Sequence, residues 1–361
     1  MSPRLEDLPL RDDLRGMSPY GAPQARVPVA LNVNENTHPV PKEVADDILD
    51  AVALALRDVN RYPDREFTQL REAFAEYLGH GLTREQLWAA NGSNEVLQQV
   101  LQAFAGPGRT VFGFAPTYSM YPLLARGIGS RWVAGERGVD FTLDADSAAA
   151  QVAEAHPDVV LLCSPNNPTG TPMPIDVIER VYESTDGIVV VDEAYWEFAP
   201  RDERSALTLL PGRERLVVSR TMSKAFAFAG ARVGYLAADP TVADALRLVR
   251  LPYHLSALTQ AAAVAALAHA PTMLATVDDI VAQRDRISAT LEALGYKPFE
   301  SWTNFVLFGG VEDPAATWQG LYERGVLVRD VGLPRTLRVS AGTEEETSAF
   351  LDALASIDSA S

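Results

Sequence analysis

The most constraining feature of this sequence is a series of short apolar runs, rich in Val and each too short for a helix, at residues 110–114, 159–163, 188–191 and 216–218. Between them lie stretches with helical spacing, such as 94–104 and 175–182. Strand alternating with helix predicts an α/β fold, a mostly parallel sheet covered by helices on both faces. In such a sheet ligands bind beyond the carboxyl ends of the strands, so the polar residues that follow each run are the ones to read for chemistry.

The 361 residues fit two domains or one large α/β unit, at roughly 150 residues per domain. Residues 1–35 are Pro-rich and irregular and read as an arm packed on something else. A large domain follows over 36–252, and its end is placed near the segment 251–255, which contains Pro252. The remainder, 253–361, reads as a smaller α+β domain. It begins with an Ala-rich helical run and continues with a helix near 277–294, extended segments at 304–308 and 337–340, and a terminal helix after Glu344.

Composition excludes several classes of function. Cys163 is the single cysteine, so neither a disulfide framework nor a Cys-based zinc site is expected. The five histidines have no metal-binding spacing. A net charge of −17 is the wrong sign for phosphate-backbone binding, so no nucleic-acid partner is expected. The longest apolar stretch, 261–268, is far short of the roughly 18 residues of a membrane span, and the first residues lack an apolar signal region. A cytoplasmic protein with no membrane partner is the expectation.

Four strand ends carry unusual polar sets. Residues 159–163 lead into Ser164, Asn166, Asn167 and Thr169, and 188–191 lead into Asp192, Glu193 and Tyr195. Residues 216–218 lead into Ser219, Arg220, Ser223 and Lys224, with Arg232 beyond. Upstream, Ser93 and Asn94 enter a helix, where Ser93 reads as the N-cap and the exposed amides suit a phosphate. Taken singly, these are a turn, a helix cap and a solvated lysine. Taken together, an amide, a carboxylate, a phenol, a lysine and an arginine at the ends of one sheet match what pyridoxal phosphate requires. The lysine forms the Schiff base, a carboxylate keeps the pyridine nitrogen protonated, and hydroxyls, an Arg and a helix N-terminus hold the phosphate. Tyr118 is the candidate to stack on the ring. Gly127, Gly129, Gly230 and Gly234 do not supply the glycine turn of a nicotinamide-binding unit.

The segments SPNNPTG, VVVDEAYWEF and SRTMSKAFAFAGARVGY resemble the fold-type I, aspartate-aminotransferase-like enzymes. LRGMSPYGAP, LNVNENTHPVP, NRYPD, WAANGSNEVLQ, LPYHLSALTQ and VLVRDVGLPRTLRVSAGTEEE bring the resemblance closer to the histidinol-phosphate aminotransferases, over nearly the whole chain. The resemblance implies that Lys224 is the Schiff-base lysine and that Asp192 pairs with the pyridinium. It implies that Asn167 and Tyr195 bond the ring hydroxyl, and that Tyr118 stacks on the ring. Ser93, Asn94, Ser223 and Arg232 would hold the phosphate, with Tyr62 reaching in from a second subunit, which implies a homodimer with shared active sites. Arg329 and Arg338 match positions that bind the substrate's acidic group, Tyr20 an aromatic beside it, and Tyr253 a position near the substrate. The implied reaction exchanges an amino group between L-histidinol phosphate and 2-oxoglutarate, giving imidazole-acetol phosphate and L-glutamate. The arm is expected to close over substrate. An aromatic amino acid (phenylalanine) aminotransferase, a decarboxylase and a noncatalytic binding protein on the same fold are the alternatives. One departure is Thr37 followed by His38, where relatives often carry Pro after Asn-Glu-Asn.

Overall fold

The computed structural model describes residues 7–16, 21 and 24–358; Tyr20 lies outside the described residues. Branched apolar runs become strands because the pleated backbone seats β-branched side chains with little loss of rotamer freedom. In chain order the strands are β1 (Val29–Ala30), β2 (Leu87–Ala90), β3 (Thr110–Ala115), β4 (Arg131–Glu136), β5 (Val159–Cys163) and β6 (Ile188–Asp192). They continue with β7 (Leu216–Thr221), β8 (Gly234–Ala238), β9 (Lys297–Pro298), β10 (Phe305–Gly309), β11 (Val326–Leu327) and β12 (Thr336–Ser340). The helices are α1 (Lys42–Ala55), α2 (Thr68–Leu78), α3 (Ser93–Phe104), α4 (Met120–Gly127), α5 (Ala145–Ala155) and α6 (Ile175–Glu183). After these come α7 (Pro240–Val249), α8 (Ala257–Ala268), α9 (Ala270–Met273), α10 (Val277–Ala293), α11 (Pro314–Glu323) and α12 (Glu344–Asp358).

A seven-stranded sheet runs in the order β2-β8-β7-β6-β5-β3-β4. Only β8 runs against its neighbours; the other adjacent pairs are parallel. Every residue of β5, β6, β7 and β8 is buried, as a sheet covered by helices on both faces demands. The strand order reverses between β3 and β5, because β3 leads outward to β4 while β5 leads inward to β6. The crevice above that reversal is the topological switch point, flanked by the segments that follow β3 and β5.

A second sheet, β12-β10-β9, is antiparallel and is backed by α10 and α12. Its core includes Ile287, Leu291, Phe305, Phe308 and Phe350. The N-terminal segment is stitched to this unit. β1 pairs in parallel with β11, the Leu31 N–H donates to the Leu327 carbonyl at 2.8 Å, and the Ser340 N–H donates to the Leu31 carbonyl at 2.9 Å.

The change from one core to the other comes later than residue 252, where the domain boundary was expected. α8 packs against α1 and α2, and Leu255, Ala263, Ala266 and Met273 belong to the core of the large sheet. The second core takes in buried apolar residues from Val277 onward, together with Leu31, Tyr195, Phe198 and Ala225. The Pro252 segment is therefore a turn within the large unit, between α7, which packs on α3, and α8, whose small side chains let it lie close on α1 and α2.

Candidate active site

The cavity at the switch point has a volume of about 320 Å³ and lies between the large sheet and the second unit. Its floor follows from strand register. Asp192 on β6 sits opposite Ser219 on β7, and the Ser219 hydroxyl donates to Asp192 Oδ1 at 3.1 Å. Tyr121, from α4, donates its hydroxyl to Asp192 Oδ2 at 2.9 Å. The next residue along each strand serves a different purpose, since Glu193 and Arg220 form a buried ion pair at 2.7 Å. Glu193 also accepts bonds from Ser205 and from the Ala206 N–H, which fixes the ends of the two strands that carry the floor.

Asp192 is 3% exposed, and burial raises its carboxyl to about 6 despite the bonds from Tyr121 and Ser219. Among the described residues it has no cationic partner within ion-pair distance. A buried acceptor of this kind fits a protonated ring nitrogen. Lys224 lies beyond the end of β7, with its Nζ donating to the Val33 carbonyl at 3.2 Å. Burial first, and then the charge of Arg338, lower its amine to about 8. Cys163 also lines the cavity, buried, and burial pushes its thiol up to about 12.

The phosphate-sized corner is built by close backbone approach. Gly92 caps α3 at φ 84° without a side-chain bond, so Ser93 is the first helical residue and not the cap the sequence suggests. A Cβ on Gly92 would overlap the Arg232 guanidinium, and a Cβ on Gly234 would overlap the Ser93 nitrogen. Only glycine at these two positions lets the start of α3, Arg232 and Ser223 converge, and the Arg232 Nη1 lies 3.4 Å from the Ser223 hydroxyl. The Tyr118 hydroxyl donates to Asn94 Oδ1 at 3.2 Å, holding the ring at the side of the cavity. This combination of helix N-terminus, hydroxyl and guanidinium fits a phosphate dianion, and with Asp192 and Lys224 it fits pyridoxal phosphate.

The opposite wall comes from the second unit and the N-terminal segment. Arg338 on β12 is 7% exposed; its Nη1 donates to Asn167 Oδ1 at 2.6 Å and its Nη2 to the Asn32 carbonyl at 3.1 Å. Arg329 pairs with Arg338 through two main-chain bonds of 2.9 Å, which brings both guanidinium groups to the cavity. The Tyr195 phenol oxygen accepts the amide of Asn167 at 3.3 Å and that of Asn34 at 3.0 Å. Burial raises the Tyr195 phenol well above its ordinary value, which keeps it protonated.

Of the residues singled out from sequence, the structure brings eleven to this cavity: Ser93, Asn94, Tyr118, Asn167, Asp192, Tyr195, Ser223, Lys224, Arg232, Arg329 and Arg338. Tyr62 and Tyr253 do not line it. They stack on each other with ring centroids 4.4 Å apart, and Tyr62 is 80% exposed. Sequence reasoning missed Tyr121, which sits inside an apolar helix and reads as core. It named Ser219 at a strand end without seeing it as the partner of Asp192, and it missed Asn34 as the partner of Tyr195.

The chain matches the family of class I and II aminotransferases over residues 26–354. It is 65% identical over 354 residues to a histidinol-phosphate aminotransferase of Paenarthrobacter aurescens, covering 97% of this chain and 95% of the relative. It is 54% identical to one of Thermobifida fusca, covering 97% and 95%. The crystal structure of the histidinol-phosphate aminotransferase of Sinorhizobium meliloti, in complex with pyridoxal 5'-phosphate, superposes with a TM-score of 0.85 at 26% identity, covering 98% of both chains.

Proposed function

This chain belongs to the class I and II aminotransferases, and we propose that it is a pyridoxal-phosphate-dependent transaminase of histidine biosynthesis. Its reaction interconverts L-histidinol phosphate and 2-oxoglutarate with imidazole-acetol phosphate and L-glutamate. The observation that carries this reading is the 65% identity to a histidinol-phosphate aminotransferase over 97% of the chain. The convergence of Lys224, Asp192, Tyr195 and Arg338 on one cavity supports it.

When bound, pyridoxal phosphate supplies an electron sink that acidifies the substrate Cα–H bond. Asp192 holds the ring nitrogen in its protonated form, and Tyr121 and Ser219 hold Asp192. Lys224 Nζ takes the proton from the substrate α-carbon and returns it elsewhere; an amine lowered to about 8 is neutral often enough to do so near neutral pH. Ser93, Asn94, Ser223 and Arg232 hold the phosphate, Tyr118 stacks on the ring, and Asn167 and Tyr195 bond its hydroxyl. Arg338 and Arg329 receive the acidic group of either substrate, because a planar guanidinium bonds a carboxylate or a phosphate monoester in the same bidentate way.

We assign Tyr62 to the site of a second copy of the chain, in a homodimer with shared active sites. Leu49, Leu248 and Leu251 are 64%, 86% and 74% exposed on the same chain, an apolar exposure that a second copy would cover. The setting we propose is the cytoplasm. Among the described residues no single helix is long and apolar enough to cross a membrane, and the acidic surface disfavours nucleic acid.

The test is a half-reaction. The pyridoxal-phosphate-loaded protein is mixed with L-histidinol phosphate or with L-phenylalanine, and the loss of cofactor absorbance is followed. Fast, saturable loss with histidinol phosphate and a weak response to phenylalanine is the expected outcome. A preference for phenylalanine moves the assignment to an aromatic aminotransferase, and no loss with any amine overturns the transaminase reading.

A further inference from the structure

Asn34 opens the Asn-Glu-Asn-Thr turn, and it is 2% exposed with a left-handed φ of 56°, a conformation that Asn tolerates better than most residues. All its polar groups are engaged. Its main-chain N–H donates to the Ser340 hydroxyl oxygen at 3.0 Å, and its main-chain carbonyl accepts the Asn304 amide at 3.1 Å. The Ser340 hydroxyl donates to Asn34 Oδ1 at 3.1 Å, which fixes the orientation of the side-chain amide. Asn34 Nδ2 then points to the Tyr195 oxygen at 3.0 Å.

Asn167 reaches the same oxygen with its Nδ2, and Arg338 fixes that amide by donating to its Oδ1. A phenol oxygen that accepts two N–H groups has no acceptor capacity left. Its own proton must leave as a donor, and the direction not taken by the two amides is the cavity.

We propose that Asn34 is a positioning residue for this reaction: with Asn167 it makes Tyr195 an obligate hydrogen-bond donor toward the cofactor's ring oxygen. The inference rests on the transaminase reading and deepens it. A donor at the ring oxygen stabilises that oxygen as an anion. It therefore sets the pH at which the bound cofactor gives up its proton, and through Ser340 this setting is held by the second unit.

The experiment titrates the visible absorbance of the pyridoxal-phosphate-loaded full chain against pH, without substrate. Asn34→Asp keeps size and backbone preference but offers the phenol a competing acceptor, so its midpoint rises by about one pH unit. Asn34→Gly keeps the backbone conformation and adds no charge, so its midpoint rises by less. In a Tyr195→Phe background Asn34→Gly loses its effect and Asn34→Asp keeps only the through-space share of its charge, a coupling that a merely structural role would not produce. Should the Asn34 variants fail to fold, Ser340→Ala frees the amide to rotate, and the same rise and the same loss in the Tyr195→Phe background are expected. An unmoved midpoint, or an equal shift in both backgrounds, overturns the inference while leaving the transaminase reading intact. A wild-type protein with no titrating band overturns that reading and this inference with it.

Discussion

The two walls of the cavity are built in different ways. The sheet wall takes Asp192 and Ser219 from two adjacent parallel strands, where one register sets them opposite each other, and Ser223 and Lys224 from the turn that follows the second strand. The seam wall takes Asn34, Arg338 and Ser340 from positions as much as 306 residues apart, joined by side-chain hydrogen bonds. The first wall inherits its precision from the backbone ladder. The second has precision only while both units and the N-terminal segment stay docked. Asp192 and Lys224, to which we assign the handling of protons, are thus on the rigid wall together with Asn167, while Arg338, to which we assign the substrate's acid, and Asn34, the second amide on Tyr195, are on the jointed one.

The largest expected effect tests the rigid wall. Lys224→Ala should lower turnover by about 10³-fold or more, since it removes both nucleophile and base. Its melting temperature should change little, because Nζ makes a single bond to the Val33 carbonyl. Single-turnover kinetics with calorimetry checks both, and near-normal turnover would remove Lys224 from the mechanism.

A second test uses pH on the same wall. The Asp192 carboxyl is raised from an ordinary 3.8 to about 6, so between these values the folded, cofactor-free protein binds more protons than the unfolded chain. Stability conferred by the protonated form is complete below pH 4 and is lost as pH rises through 6. At about 1.4 kcal/mol per pH unit the loss amounts to about 3 kcal/mol. Urea titrations of cofactor-free wild type and Asp192→Asn should diverge by that amount between pH 4 and 7, and parallel curves would mean that Asp192 is already paired.

The smallest effect belongs to the seam wall. Arg338→Met should raise KM for glutamate by about 10–100-fold, the worth of hydrogen bonds to a charged group. Its effect on kcat should be smaller, and steady-state kinetics separates the two. A loss confined to kcat would place Arg338 with the rigid wall and erase the distinction.

The sheet wall was also the more legible in sequence. Val-rich runs announced β5, β6 and β7, and the rule that ligands gather beyond strand ends pointed to Asn167, Asp192 and Lys224 before any family was considered. Arg329 and Arg338 had no such local signal and came only from resemblance, because their place depends on how β12 and β11 dock. Tyr121 escaped because a phenol between apolar neighbours in α4 looks like core until Asp192 is set against it. Asn34 fell at the end of the irregular arm and carried no signal of its own, and its bond to Tyr195 spans 161 residues. The boundary was set at Pro252 because a proline break reads as the end of a domain, whereas Leu255, Ala263, Ala266 and Met273 pack with the large sheet.

The hydrogen bonds that join Leu31 and Asn34 to Ser340 also impose an order on synthesis. A ribosome adding about 5–20 residues per second needs about 15–60 s to pass from one end of this stitch to the other. Once Ala238 is out the large sheet can gather its helices, while Leu31 still waits for the strand and core it belongs to. A nascent chain that stops before Arg329 lacks both Arg329 and Arg338 of the cavity wall, so the site is finished only once β12 has emerged.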